Sequence, residues 1–190
     1  MCSLVTAIVP AAGRASRFGR PKLIEPLSGQ PLIVHTITSL LDAGLSEVVV
    51  VVSVSTQFDE VVAMRDTRIR RVLNPDPSRG MLSSIQQGAL VARAESGLVV
   101  LPADMPFVRR ETIELVVAHS MQHDCVVAPA YAGRRGHPVA VPARFRPAIA
   151  SADPRTTLKK VFQSWGIQIE IIDVDDAGIL RDVDVPADLT

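Results

Sequence analysis

Net charge is absent from this chain: 20 Lys and Arg are balanced by 20 Asp and Glu. Proteins that track nucleic acid carry a basic excess, so no general nucleic-acid footprint is expected, and any anion site must be local. Cysteine is scarce. Cys2 and Cys125 stand far apart and without metal-ligand spacing, which reads as two reduced thiols and not a disulfide. Long apolar runs are missing; the longest, Val48 to Val52, is far too short to span a bilayer, so no membrane partner is expected. The amino terminus has no basic stretch followed by a long apolar core, so a secretory signal is not expected and a cytoplasmic location is. There is no internal repeat, low-complexity tract or linker. The 190 residues therefore read as one domain, 1–190, and 47% hydrophobic residues give it the means to bury a core.

What is present is an alternation of apolar, β-branched runs with helix-like segments. Leu4–Pro10, Glu47–Ser53, Arg70–Asn74, Gly97–Asp104 and Cys125–Tyr131 read as strands. Pro31–Ala43, Gln57–Arg65, Leu82–Ala94 and Arg109–His123 read as the helices between them. Pro31 fits a first helical turn, and Gly44 fits the position just past a helix end. After Tyr131 the turn-rich "YAGRRGHPVAVP" suggests a hairpin-like excursion, followed by a helix over Pro154–Trp165 and a strand over Ile167–Asp175. The expected fold is a three-layer α/β/α, Rossmann-like arrangement round a mostly parallel sheet.

In such a sheet the ligand site lies beyond the carboxyl ends of the strands. Three segments with unusual chemistry fall there. The first, "VPAAGRASRFGRPK", follows the first strand. Ala11, Ala12 and Gly13 let a ligand approach the backbone, and successive amides there can form an anion nest; Arg17 and Lys22 add charge, and Gly19 permits the turn between them. A solvated basic turn is the plainer alternative. The spacing fits neither a P-loop nor the Gly-x-Gly-x-x-Gly dinucleotide fingerprint. The second segment, "LPADMP", sets Asp104 at the end of a buried strand, where a carboxylate must be paired, hold a cation or cap the helix near Arg109. A phosphate cradle beside a carboxylate suggests magnesium. The third, "NPDPSRGMLSSIQQG", puts Asn74 and Arg79 in a loop and Ser83 and Ser84 at a helix start, as nucleotide contacts or plain caps. Near the carboxyl terminus Asp182 and Asp184 could supply a second metal carboxylate, while Asp173, Asp175 and Asp176 read as solvated. His35, His119 and His123 read as helix-surface residues, and Trp165 as packed in the core or at an interface.

Taken together these segments resemble the MobA-like nucleotidyltransferases. Gly13, Arg17, Gly19 and Lys22 match the family pattern glycine-x-x-x-arginine-x-glycine-x-x-lysine, and "LPADMP" looks like its metal-binding aspartate segment. "GRRGHP" and "LRDVDVPADL" resemble segments of the molybdenum cofactor cytidylyltransferase branch. Guanylyltransferases of the family read leucine-alanine-glycine-glycine where this chain has Pro10-Ala11-Ala12-Gly13, which points the same way. Isoprenoid cytidylyltransferases share a similar start, so the loop does not fix the acceptor.

The resemblance implies transfer of CMP from CTP to the phosphate of molybdenum cofactor, with pyrophosphate released and Mg2+ as cofactor. Lys22 would contact the α-phosphate and the acceptor phosphate, and Arg17 the β and γ oxygens. Pro10, Ala11, Ala12, Gly13, Gly19, Asn74, Arg79 and Ser84 would line the nucleotide. Asp104, with Asp182 or Asp184, would hold the metal, and Gly136, His137 and Pro138 would face the acceptor. Arg134 and Arg135 could bind an acceptor phosphate or serve as exposed loop residues. A molybdenum hydroxylase apoenzyme is a further partner the resemblance implies. Transfer to a sugar or isoprenoid phosphate is an alternative, and so is a non-catalytic maturation factor for molybdenum hydroxylases.

Overall fold

A computed structural model describes residues 5–13, 22–54, 56 and 65–184. The β-branched runs form the strands of the main sheet: β1 (Val5–Pro10), β4 (Glu47–Val52), β5 (Ile69–Leu73), β6 (Gly97–Val100), β7 (Val126–Tyr131), the short β8 (Arg134–Arg135), β9 (Val139–Val141) and β10 (Ile169–Asp173). Two further short strands, β2 (Pro26–Leu27) and β3 (Gln30–Pro31), pair as a small separate hairpin. The helices are α1 (Leu32–Asp42), α2 (Met81–Val91), α3 (Arg110–His123), α4 (Arg146–Ser151) and α5 (Leu158–Ser164).

Strand order in the main sheet is β10-β7-β9-β6-β1-β4-β5, with β8 beside β7. The neighbours of β1 are parallel to it, and β5 is parallel to β4. The excursion after Tyr131 accounts for the exceptions. β8 folds back on β7, and β9 runs antiparallel between β7 and β6.

Alternation along the strands makes the layers. Val5, Ala7 and Val9 of β1 and Val48, Val50 and Val52 of β4 face α1 and α3. Ile8, Val49 and Val51 face α2, α4 and α5, where Phe162 is fully buried. Each Val or Ile so enclosed contributes about 1.5–3 kcal/mol of apolar burial. Gly88 of α2 sits where a Cβ would come 2.7 Å from the Ile8 side chain, so this helix packs closer to β1 than an alanine would allow.

Several boundaries differ from the pattern reading. β6 ends at Val100, four residues before Asp104, which stands in the following turn. The segment before α5 is not helical, and Arg146–Ser151 forms a helix the periodicity did not suggest. Trp165 is exposed, not in the core. Of the helix expected over Gln57–Arg65, residues 57–64 lie outside the described residues, as do Arg17, Gly19 and Cys2.

Glu47 is the polar exception within β4. It is buried, and its carboxylate accepts from Thr6 Oγ1 at 2.8 Å, Arg70 Nη1 at 3.0 Å and the Arg93 amide at 3.3 Å. Burial alone would push its pKa up; Arg70, Thr6 and the Arg93 N–H outweigh that and hold it below the usual 4.5. A carboxyl with a lowered folded-state pKa stabilises above its unfolded value, and the contribution is lost as pH falls through the folded value. Glu47→Gln is therefore expected to be less stable than the parent at neutral pH, with the difference closing in acid. Urea melts across pH check this; a gap that does not change with pH would count against the assignment.

Candidate active site

The loops after β1 and β6 meet because these strands are neighbours. The Ala11 amide donates to Val51 O at 2.8 Å, which continues the pairing of β1 and β4 one residue past the strand. Ala103 N donates to Pro10 O at 3.2 Å, and Thr36 Oγ1 of α1 donates to Ala103 O at 3.0 Å. Those bonds fix the turn that carries Asp104. Ala11 and Ala12 are buried, while Gly13 is exposed, and no described atom lies within 4 Å of where its Cβ would be. Among the described residues, nothing fills the side of Gly13 that a side chain would occupy.

Lys22 opens a short 3-10 turn, Lys22–Ile24, whose Leu23 is buried against α1. The anchored leucine aims the lysine back across the sheet end. Lys22 Nζ donates to Asp104 Oδ2 at 2.7 Å, to the Val183 carbonyl at 2.8 Å and to Asp184 Oδ1 at 3.2 Å. Burial would lower the lysine's pKa; the hydrogen bonds and charges of Asp104 and Asp184 outweigh it, and the net shift is upward. The ammonium is therefore firmly protonated in the neutral range.

The carboxyl-terminal segment is delivered to this point by its own contacts. Val183 N donates to the Asp104 carbonyl at 2.9 Å. Further back, Asp176 is buried, not solvated as its setting among exposed aspartates suggests. Its Oδ2 accepts from the Arg109 amide at 3.0 Å and Thr112 Oγ1 at 2.7 Å, and its Oδ1 from the Gly178 amide at 2.9 Å. Asp176 thus caps α3 from a distance, and Asp104 does not perform that role. The "DAG" spelling is a turn signal that could have found the Gly178 bond; the reach to α3 has no local signal. Between the two metal candidates near the terminus, Asp184 joins Asp104 at Lys22, whereas Asp182 is exposed.

His137 approaches from the excursion after β7. Its amide donates to Ile179 O at 3.1 Å. Desolvation lowers the imidazole pKa most, Arg135 adds to that, and the nearby carboxylates of Asp104 and Asp182 oppose it without reversing it. The neutral form of the ring is favoured as a result. Gly136 has a packing reason to be glycine, since a Cβ there would stand 2.1 Å from the Ile179 carbonyl oxygen. Pro138 is buried beside it, and Arg134 and Arg135 are exposed.

The third segment forms a separate group beyond β5. Asn74 is buried, and its Nδ2 donates to Ser83 Oγ at 2.8 Å and Ser84 Oγ at 3.0 Å. The residue before α2 is Gly80, so neither serine is the cap that the sequence allowed; both are buried in the first turn. Arg79 is exposed on the preceding turn. The structure thus assembles Lys22, Asp104 and Asp184 at the end of β1 and β6, where the Gly13 loop begins and His137 approaches, and holds Asn74 and Ser84 together next door.

Comparison with known proteins bears on the family and the fold. The model of the MobA-like NTP transferase domain matches residues 7–169. The nicotine blue oxidoreductase of Paenarthrobacter nicotinovorans is 32% identical over 192 residues, covering 95% of this chain and 92% of that protein. The molybdenum cofactor guanylyltransferase of Xanthomonas euvesicatoria is 32% identical over 121 residues, 64% of this chain and 57% of its own length. Among solved structures, Rv0371c of Mycobacterium tuberculosis superposes with a TM-score of 0.81 at 22% identity, over 99% of this chain and 96% of the other. The family model spans most of the chain, and the Paenarthrobacter relative covers nearly all of it: this chain belongs to the MobA-like NTP transferase family.

Proposed function

We propose that the chain transfers CMP from CTP to the phosphate of molybdenum cofactor and releases pyrophosphate. The observation that carries nucleotidyl transfer is the convergence of Lys22, Asp104 and Asp184 at the end of the sheet where the Gly13 loop leaves β1. The finer choice of cytosine and of this acceptor rests on Pro10-Ala11-Ala12-Gly13 and on the resemblance of "GRRGHP" and "LRDVDVPADL" to the cytidylyl branch.

The donor set fits magnesium. Two carboxylates and a carbonyl, all hard oxygens, converge on one positive charge, here the Lys22 ammonium standing in for a cation. Asp104 and Asp184 would hold the ion, which when bound neutralises charge on the phosphate oxygens. Lys22, released from the carboxylates, would turn to the α-phosphate, where negative charge grows as the acceptor oxygen attacks. The acceptor phosphate is itself the nucleophile, so no side chain needs to form a covalent intermediate. In-line attack makes the new phosphorus–oxygen bond, and the bond to pyrophosphate breaks. Gly13 admits the triphosphate to the backbone, and Arg17, outside the described residues, would meet its outer oxygens. His137, held neutral by burial, would contact the acceptor as a hydrogen-bonding group and not as a cation.

The name of the Paenarthrobacter relative favours a second reading, a redox role on the same scaffold. One experiment separates the readings: CTP, GTP, ATP and UTP are each supplied with Mg2+ and molybdenum cofactor, and pyrophosphate is followed. CTP is expected to be turned over fastest. A preference for GTP would overturn the reading of Pro10 and Ala12. No release with any nucleotide would favour the non-catalytic factor or the redox role over transfer.

A further inference from the structure

At the opposite end of the sheet, three metal-ligating side chains meet. His119 is in the last turns of α3, Cys125 directly precedes β7, and Glu170 is the second residue of the edge strand β10. β10 runs parallel to β7 with Ile169 opposite Val126, so Glu170 comes beside the cysteine at the start of both strands. His119 Nε2 lies 2.6 Å from Glu170 Oε1, and Cys125 Sγ donates to Glu170 Oε2 at 3.1 Å. One ligand atom from each residue lies within 4.8 Å of the others. The ring of His123, one helical turn on, stacks on His119 with centroids 4.4 Å apart.

We propose that His119 Nε2, Cys125 Sγ and one carboxylate oxygen of Glu170 form a binding site for a divalent zinc ion, with the fourth position left to water. A thiolate, an imidazole and a carboxylate form a mixed set that suits zinc better than magnesium or calcium, which take oxygen alone. The geometry asks for little movement. Bond lengths of about 2.0–2.3 Å to a tetrahedral zinc place donor atoms somewhat over 3 Å apart. The His119–Glu170 pair must open by less than about 1 Å, the other pairs already lie within 4.8 Å, and Glu170 is half-exposed. On binding, the Cys125 thiol proton leaves to solvent and the thiolate takes its place on the metal. The ion then joins the end of α3, the start of β7 and the outermost strand, and it acts as a staple remote from the nucleotidyl site.

The test uses the full-length reduced protein and cobalt(II) alone, a coloured substitute for zinc. One equivalent is expected to give a near-ultraviolet thiolate-to-cobalt band with visible tetrahedral absorption, both lost on adding zinc. C125S is expected to lose the thiolate band, and E170Q to bind at least about 10-fold more weakly. D104N, at the other end of the sheet, is expected to keep the band. Zinc should raise the melting temperature of the parent but not of C125S. No thiolate band in the parent, or the same band in C125S, would overturn the site.

Discussion

Replacing Lys22 with alanine is expected to lower kcat for pyrophosphate release by about 10²–10³-fold, the usual cost of removing one donor aimed at developing charge. KM for the acceptor is expected to move far less, because the interaction is made with the transferring phosphate more than with the bound ground state. The same substitution has a second consequence that a merely structural lysine would not produce. In the free protein the ammonium holds Asp104 and Asp184 at 2.7 and 3.2 Å. A divalent cation entering between them must displace it. Without the lysine, the cation no longer has to displace the Lys22 ammonium from the two carboxylates, so divalent affinity in the absence of nucleotide should rise by about tenfold or more. Turnover falls while metal binding tightens. Titration calorimetry with Mg2+ or Mn2+ beside steady-state kinetics reads both; weaker metal binding in Lys22→Ala would contradict the shared site.

The second large effect is on stability, at Asp176. Removing its carboxylate strands the Arg109 amide, the Thr112 hydroxyl and the Gly178 amide, the last two in a buried setting. At roughly 1 kcal/mol for each lost bond, Asp176→Ala should cost about 3 kcal/mol in urea denaturation. The neighbourhood offers no easy collapse, because Gly178 is pressed so closely on Phe107 that a Cβ there would stand 2.0 Å from its carbonyl oxygen. Since the segment from Asp176 onward brings Val183 and Asp184 to Lys22, the variant should also bind divalent cations more weakly. A loss below about 1 kcal/mol would mean that the cap contributes little.

Much of the scaffold could be read from the chain because the information is local. Continuous β-branched runs predict buried parallel strands, and β1, β4 and β7 fall where the runs do. The rule that ligands bind beyond strand ends picks out the loops carrying Gly13 and Asp104. What escaped depends on contacts distant in sequence. Asp176 looks like a neighbour of the exposed Asp173 and Asp175 until α3 is packed against it. Ser83 and Ser84 look like caps until Asn74, nine and ten residues back, donates to both hydroxyls. Glu47 reads as a strand's polar first residue until Thr6, Arg70 and Arg93 surround it. His119 reads as a helix-surface residue, and only the pairing of β7 with β10 brings Glu170 and Cys125 to it. The choice of Asp184 over Asp182 as the partner of Asp104 likewise follows from the path of the last segment, not from its spelling.

The central claim, nucleotidyl transfer at the Lys22–Asp104–Asp184 cluster, is tested most directly by following the α-phosphorus. CTP labelled at that position is incubated with the protein, Mg2+ and molybdenum cofactor, and the products are separated. The predicted result is label covalently joined to the acceptor, unlabelled pyrophosphate in equal amount, and neither product with Asp104→Asn. Label recovered only as unreacted CTP or free CMP, or transfer undiminished in Asp104→Asn, would contradict it.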